Sequence, residues 1–399
     1  MRDGWHVEPL SKVCQLINRG ISPVYLDDGG TAVLNQKCIR DHSINYDLGR
    51  RHCVTTKRVS ADKLVRVGDV LVNSTGTGTL GRVAQVRDEP HEPTTVDSHV
   101  TIVRPKDGLF FPEFFGYALI AIENQIQEGG EGCGGQTELA RSKLANDYHV
   151  SFPTSIPEQR RIVAILDEAF EGIATAKANA EKNLQNAREV FESHLNAVFS
   201  QRGEGWVEKR LDEVGKTQTG STPKASEPEN LGKHIPFVKP GDFKPDGSIT
   251  YDNEGLSQNG AAKARLVMAP SAIMVCIGAT IGKSAYANRI IATNQQINSL
   301  TPATGISAKM VYYQMITVDF QRRVHENAGQ ATLPIINKSK WSSLSIFIPP
   351  TVDEQNHIVA RLDNLHEETQ RLESLYQKKL IALDELKQSL LHQAFNGDL

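Results

Sequence analysis

Apolar and small residues recur in steps of three and four along two stretches of the chain, and the two stretches keep the same frame. In the first, Ile162, Leu166, Ala169, Ile173, Ala176, Ala180, Leu184, Ala187, Phe191, Leu195 and Val198 fall on one helical face. The second carries Ile358, Leu362, Leu365, Thr369, Leu372, Tyr376, Leu380, Leu383, Leu391 and Ala394, and breaks the stripe only at Lys387. The stretches are copies of each other: residues 155–199 reappear as 351–395 at a constant offset of 196. Each opens on a capping box, Ser155-x-x-Glu158 and Thr351-x-x-Glu354, in which hydroxyl and carboxylate satisfy orphan backbone donors. No proline follows the first turn of either copy, so each is predicted to run for about 43 residues, roughly 64 Å. A narrow stripe of that length needs a partner helix beside it, and the other copy is the natural one. An antiparallel coiled coil is the predicted arrangement, since helices that merely cover their own domain are much shorter.

Each helix follows a region of about 150 residues that reads as short strands, turns and a few helices, a size suited to one domain. The regions echo each other faintly. GWHVEPLSKVCQLINRGISP from Gly4 matches GWVEKRLDEVGKTQTGSTP from Gly205, and GDVLVNSTGTGTLGRVAQV from Gly68 matches PSAIMVCIGATIGKSAYA from Pro270. VLNQKCIRDHSINY from Val33 matches FVKPGDFKPDGSITY from Phe237. The duplication therefore covers the whole chain, with divisions at 1–152, 153–202, 203–350 and 351–399. The fold class read from this pattern is α+β: two mixed α/β modules joined by two long paired helices, a pseudo-twofold internal repeat.

Composition alters the picture in one respect. Of the 399 residues 39% are hydrophobic and 23% charged, ordinary for a soluble globular protein, and the net charge is −3. The acid is unevenly placed: residues 205–350 carry 16 Lys and Arg against 11 Asp and Glu, while 351–399 carry 5 against 9. Within the first half, 37–66 holds eight Lys and Arg against three Asp, a local basic patch. Five scattered cysteines, Cys14, Cys38, Cys53, Cys133 and Cys276, show no CxxC spacing and suggest reduced thiols, not a disulfide framework or zinc site. There is no signal-peptide pattern at the N-terminus, and the apolar stretch around Ala272 to Ala279 is too short to span a bilayer. A cytoplasmic location, away from membranes, is expected.

The doubled order of motifs resembles one family. A tryptophan-led opening, an apolar run ending in xGxxGK/R, a GQ segment, a strand ending in proline, then EQxxIVAxLD and a closing QAFNGDL are similar to the specificity subunit of type I restriction-modification enzymes. The resemblance implies two target recognition domains, each reading half of a bipartite, asymmetric sequence in double-stranded DNA, spaced by the conserved helices. It also implies two modification subunits that methylate adenine with S-adenosylmethionine, and restriction subunits that use ATP and Mg to translocate and cleave. The chain itself is then a non-catalytic subunit that binds no cofactor.

The residues agree with a non-catalytic reading. GATIGKS at Gly278 misses the phosphate-loop spacing because position 277 is isoleucine, and its counterpart GTGTLGRV at Gly76 lacks the Ser/Thr ligand for magnesium, so a glycine-turned β-hairpin is expected in both. What the modules offer is DNA chemistry: cations for phosphates, and amide, hydroxyl and guanidinium groups for base edges. In the first module the candidates are Asn73, Ser74, Thr75, Thr77, Thr79 and Arg82, with Arg40, Arg50, Arg51, Lys57 and Arg58 for the backbone. In the second they are Lys239, Lys244, Thr280, Lys283, Asn294, Gln295 and Gln296, then Gln330, Lys338 and Lys340. Two alternatives stay open: a bivalent coiled-coil scaffold for protein or glycan, which the net acidity favours, and the recognition subunit of a related two-gene methylation or type II system.

Overall fold

A computed structural model describes residues 4–133, 136–224, 226–329 and 333–399, excluding the side chains of Cys133 and Gln136. It divides into two compact units, Met1–Ala180 with Lys378–Leu399, and Glu181–Gln377. Among the described residues no helix is long and apolar enough to cross a membrane.

In the first unit, strand Trp5–Pro9 pairs antiparallel with His149–Pro153, so the first and last strands of the module share one ladder. One four-stranded sheet has the order Cys14–Arg19, Val100–Pro105, Val70–Asn73, Val83–Gln85. A second has the order Thr94–Val96, Thr31–Leu34, Arg50–His52, Tyr25–Leu26, its first pair parallel. The unbroken apolar run of Val70, Leu71 and Val72 reflects burial on both faces, because successive strand residues point opposite ways. Val70 and Val72 join a core with Phe114, Phe115, Ile162, Leu166 and Leu391, whereas Leu71 joins Leu34, Ile39 and Ile102 on the other side.

The second unit repeats this plan. Val207–Arg210 pairs with Ser345–Ile348, and a sheet runs Gly215–Thr219, Ile297–Pro302, Ser271–Val275, Ser284–Ala287. Another runs Gly255–Leu256, Leu231–Val238, Ile291–Thr293, Leu266–Val267. The apolar stretch beginning at Ala272 is the central strand: Ala272 and Met274 face the core containing Trp341 and Leu362, and Ile273 and Val275 face Val238 and Ile291.

The long helices are Ile156–Gln201, of 46 residues, and Val352–Asn396, of 45. The hydroxyl half of the expected capping box is present at both starts: the Ser155 hydroxyl accepts the Glu158 N–H at 3.4 Å, and that of Thr351 accepts the Glu354 N–H at 3.2 Å. Within each unit the helical segments run antiparallel. In the first, Arg161 reaches the Leu399 carbonyl at 2.8 Å and Lys177 pairs with Asp384 at 2.6 Å, so one number rises as the other falls. In the second, Arg188 pairs with Glu373 at 3.0 Å and Phe191 packs on His366 with ring centroids 4.6 Å apart. Exposed ion pairs of this kind contribute only about 0–1 kcal/mol each, so the buried stripe supplies most of the cohesion. Leu362, Leu391, Ile162 and Leu166 are at most 1% exposed. Leu372 departs from the stripe and is exposed, while Thr369 sits in it with its hydroxyl donating to the Leu365 carbonyl at 2.9 Å. Lys387, the break in the pattern, lays its ammonium 5.3 Å from the Phe170 ring centroid and 3.2 Å from His42 Nδ1. Burial pulls its pKa down, helped by nearby Lys177.

Each module is fastened to its helix by the same polar residues at the 196-residue offset. Gln159, fully buried, accepts the Phe111 N–H at 2.7 Å and donates to the Pro153 carbonyl at 2.8 Å. Gln355, 2% exposed, accepts the Ser307 N–H at 2.8 Å and donates to the Gly305 carbonyl at 3.1 Å. Farther along each helix, Tyr117 donates to Asp167 and Tyr313 donates to Asp363. Burial, then the Asp167 carboxylate, push the Tyr117 phenol up to about 12, so it remains a donor.

Candidate nucleic-acid interface

At one end of the sheets in each unit, four loops are stitched together by backbone hydrogen bonds. The first is the glycine-rich turn. In the first unit the Asn73 N–H donates to the Arg82 carbonyl at 2.9 Å and the Gly81 N–H to Asn73 at 2.8 Å, closing a hairpin over 74–80. The second unit repeats it with Val275 donating to Lys283 and Gly282 donating to Val275, both at 2.9 Å. Lys283 leads directly into the strand Ser284–Ala287, so the expected hairpin is present where a phosphate loop would open a helix. Glycine is required at Gly76, whose φ is 106° and where a Cβ would lie 2.4 Å from Gln36 Oε1.

The second loop is an Asx turn. Asp97 Oδ1 accepts the His99 N–H at 2.9 Å, and the His99 carbonyl accepts the Ser74 N–H at 2.8 Å. In the other unit Asn294 Oδ1 accepts the Gln296 N–H at 3.1 Å, and the Gln296 carbonyl accepts the Cys276 N–H at 2.7 Å. A third loop joins at the same place: Leu139 donates to Ser74 at 2.8 Å, and Ile336 donates to Cys276 at 3.0 Å. The fourth is a capped turn, with Asn35 Oδ1 accepting the Lys37 N–H at 2.8 Å and Asp242 Oδ2 accepting the Lys239 N–H at 2.7 Å.

The residues singled out from sequence divide into groups. Asn73, Ser74 and Thr75 form the base of the first glycine loop and are at most 7% exposed. The Asn73 amide donates to the Gln36 carbonyl, Ser74 Oγ lies 2.5 Å from Thr101 Oγ1, and Thr75 Oγ1 hydrogen-bonds His99 Nδ1 at 2.7 Å. Thr77 is exposed at the tip, Thr79 is half-buried and donates to Gln36 Oε1, and Arg82 donates to the Gly78 carbonyl. Arg40 is exposed in the turn between Ile39–Arg40 and Ser43–Ile44. Arg50 and Arg51 belong to the second sheet, and Lys57 and Arg58 lie in the turn that follows it: Arg50 stacks 3.4 Å from the Tyr25 ring centroid, Arg51 pairs with Glu92, and Lys57 donates to the Ser22 carbonyl, with Arg58 exposed beside it.

In the second unit Thr280 and Gln295 are exposed at loop tips, and Asn294 and Gln296 form the Asx turn. Lys239 pairs with Glu254, and Lys283 is half-buried and donates to the Phe243 carbonyl. Lys244 is exposed in the turn equivalent to that of Arg40, and Lys338 and Lys340 are exposed on the helix Lys338–Ser342. Gln330 lies outside the described residues. Sequence reading passed over His99, Gln36 and Arg19, the last donating to the Leu139 carbonyl at 2.8 Å. The paired D-S-H and N-Q-Q triplets before two equivalent strands were the available signal.

His52 holds the basic turn after its strand in place. It is fully buried, its Nδ1 2.9 Å from the Val24 nitrogen and its Nε2 2.8 Å from the Lys57 carbonyl. Next to it the Thr55 and Thr56 hydroxyls, each 3.1 Å from Cys53 Sγ, pull that thiol down to about 7. Among the described residues no His, Cys, Asp and Glu cluster could hold a metal ion.

Asp97 is 3% exposed, and burial pushes its carboxyl above the ordinary range despite the His99 N–H that it accepts. The folded chain therefore holds this proton more tightly than the unfolded chain. The contribution favours folding in acid and is lost as the pH rises through the folded value. The second unit has Asn294 at the equivalent place. Asp97→Asn keeps the acceptor without the charge, and is expected to stabilise the first unit more at about pH 7.5 than at about pH 4. Each kcal/mol gained corresponds to roughly 2–4 °C in melting temperature. An equal gain at both pH values would remove the carboxylate as its cause.

Comparison with known proteins finds relatives of one kind. Residues 203–381 match the model of the type I restriction modification DNA specificity domain. The second half of the chain is therefore similar to the DNA specificity domain of type I restriction-modification systems. The HindI specificity subunit of Haemophilus influenzae is 30% identical over 199 residues, 49% of this chain and 42% of that protein. The MjaIX specificity subunit of Methanocaldococcus jannaschii is 24% identical over 188 residues, 46% of this chain and 43% of that one. The matching stretch thus spans less than half the length of either curated relative. Among solved structures, a chain from work on complex assembly and conformational transition of the type I R-M system has TM-score 0.81 at 19% identity, covering 100% of this chain and 99% of that one. The HsdS subunit of Thermoanaerobacter tengcongensis has TM-score 0.64 at 19% identity, with 100% and 98% covered. These two share the mixed helix-and-sheet fold with long helices.

Proposed function

We propose that this chain is a specificity subunit of a type I restriction-modification system, which reads a bipartite, asymmetric sequence in double-stranded DNA, one half per module, and so directs adenine methylation and cleavage by partner subunits. The observation that carries the reading is the loop cluster itself: one backbone framework, built twice, bearing Thr75, Thr77 and His99 in one unit and Ile277, Thr280 and Gln296 in the other. Two copies of one scaffold with different polar side chains suit two different half-sites. Residues 1–152 and 203–350 are then the recognition domains, with 153–202 and 351–399 as spacer helices. The exposed cations Arg40, Arg58, Lys244, Lys338 and Lys340 suit phosphate contacts, which fix position without reading sequence. Two modification subunits would supply S-adenosylmethionine, and restriction subunits ATP and Mg, in the cytoplasm; this chain would bind none of them.

The test is expression with the modification subunits, followed by duplex binding across a salt series and a read-out of methylated adenines in the host genome. Binding should weaken with salt at a slope of about −0.9 per neutralised phosphate, and methylation should mark one split motif. No salt-dependent binding, with or without the partners, would overturn the reading in favour of a protein or glycan scaffold.

A further inference from the structure

The side chain that follows each Asx turn, His99 exposed and Gln296 half-buried, stands out from the other loop residues by how it is held. We propose that His99 and Gln296 are the matched base-reading positions of the two units, an inference that rests on the DNA-recognition reading above. The backbone makes them equivalent. Each donates its N–H to the Asx side chain two residues back, and each carbonyl accepts from the residue just past the buried central strand, Ser74 or Cys276.

Their side chains are oriented by the protein through different partners. The exposed His99 ring is tied by Nδ1 to Thr75 Oγ1 at 2.7 Å, and that threonine is only 7% exposed, which leaves Nε2 for a ligand. At the position of Thr75 the second unit has Ile277, which has no hydroxyl to offer. There the Asn294 amide donates to Gln296 Oε1 at 2.9 Å, and Gln296 Nε2 makes only a long 3.5 Å contact with the Ile277 carbonyl. Asp97 could not make that donation, and Ile277 could not anchor a histidine. The anchor has changed together with the side chain it anchors, which is what a positioned reading group requires and a solvated surface residue does not.

The chemistry suits base edges in the major groove. Glutamine can present donor and acceptor together to adenine, and an imidazole edge can serve a purine N7 or a keto oxygen. Thr77, by contrast, sits at a loop tip between two glycines, and Thr280 at one between Ala279 and Ile281.

The experiment uses the complex with its modification subunits, and duplexes that differ from the wild-type motif at one base pair each. His99→Ala should lose about 5- to 150-fold of discrimination at one position of one half-site, and Gln296→Ala the same at one position of the other. Thr75→Val, which removes only the anchor, should weaken discrimination at the His99 position and nowhere else. If His99→Ala yields no folded complex, His99→Gln must shift the preferred base at that position. Full discrimination retained in both alanine variants, or a uniform loss over all positions, would overturn the proposal. A wild-type complex that discriminates among no duplexes would instead overturn the functional reading beneath it.

Discussion

Arg104→Met is expected to destabilise the first unit by about 3–5 kcal/mol, because it strands a buried carboxylate. Asp69 has 1% of its side chain exposed and receives both arms of the guanidinium, Nε at 2.7 Å and Nη2 at 2.8 Å. Arg104 also donates to the Leu64 carbonyl at 2.8 Å, tying down the chain between the two sheets. The pair is held in place by its neighbours, since Asp69 Oδ2 accepts the Arg66 N–H at 2.8 Å. Denaturant unfolding measures the loss. Adding Asp69→Asn, which removes the charge and keeps an acceptor for Arg66, should recover more than half of it. A single-variant loss no larger than the roughly 0–1 kcal/mol of an exposed pair such as Arg51–Glu92 would show that the buried pair is not structural.

The second large effect concerns the glutamines that fasten module to helix. Gln159→Leu removes the acceptor for the Phe111 N–H and the donor to the Pro153 carbonyl at a fully buried site. Gln355→Leu does the same to Ser307 and Gly305. With each stranded backbone group costing about 1–3 kcal/mol, a loss of roughly 2–4 kcal/mol is expected for either variant. Because the two contacts belong to different units, limited proteolysis should show new cleavage in 1–152 for the first variant and in 203–350 for the second. Leucine tolerated without loss at either site would mean that apolar packing alone seats the helix.

The long helices were legible because every signal they need is local. Capping residues, stripe and missing prolines are read within a turn or two of each other, and the two copies check each other. The hairpins were legible for a similar reason, since glycines at Gly76 and Gly278 sit between strands that pair with each other. Other features depend on partners far along the chain. The parallel pairing of Thr94–Val96 with Thr31–Leu34 leaves no local trace, and neither does the seat of Lys387 against His42 and Phe170. Polarity also says little about exposure once hydrogen-bond partners are at hand. Asn73 and Ser74 look like surface residues by type, yet the Gln36 carbonyl takes the Asn73 amide and Thr101 the Ser74 hydroxyl indoors. His99 was invisible as a site because its meaning comes from Thr75 and from the matching turn around Gln296, neither adjacent in sequence.

The pairing of Trp5–Pro9 with His149–Pro153, and of Val207–Arg210 with Ser345–Ile348, has a consequence for how such a chain can change. A module whose first and last strands lie side by side begins and ends at neighbouring points, beside the buried glutamine that helps to seat it on the helix. Loops that touch neither the helices nor the core can be lengthened, shortened or replaced while the two outer strands and the glutamine behind them stay the same. Those loops are thereby free to acquire a new vocabulary without any residue of the helix being rewritten.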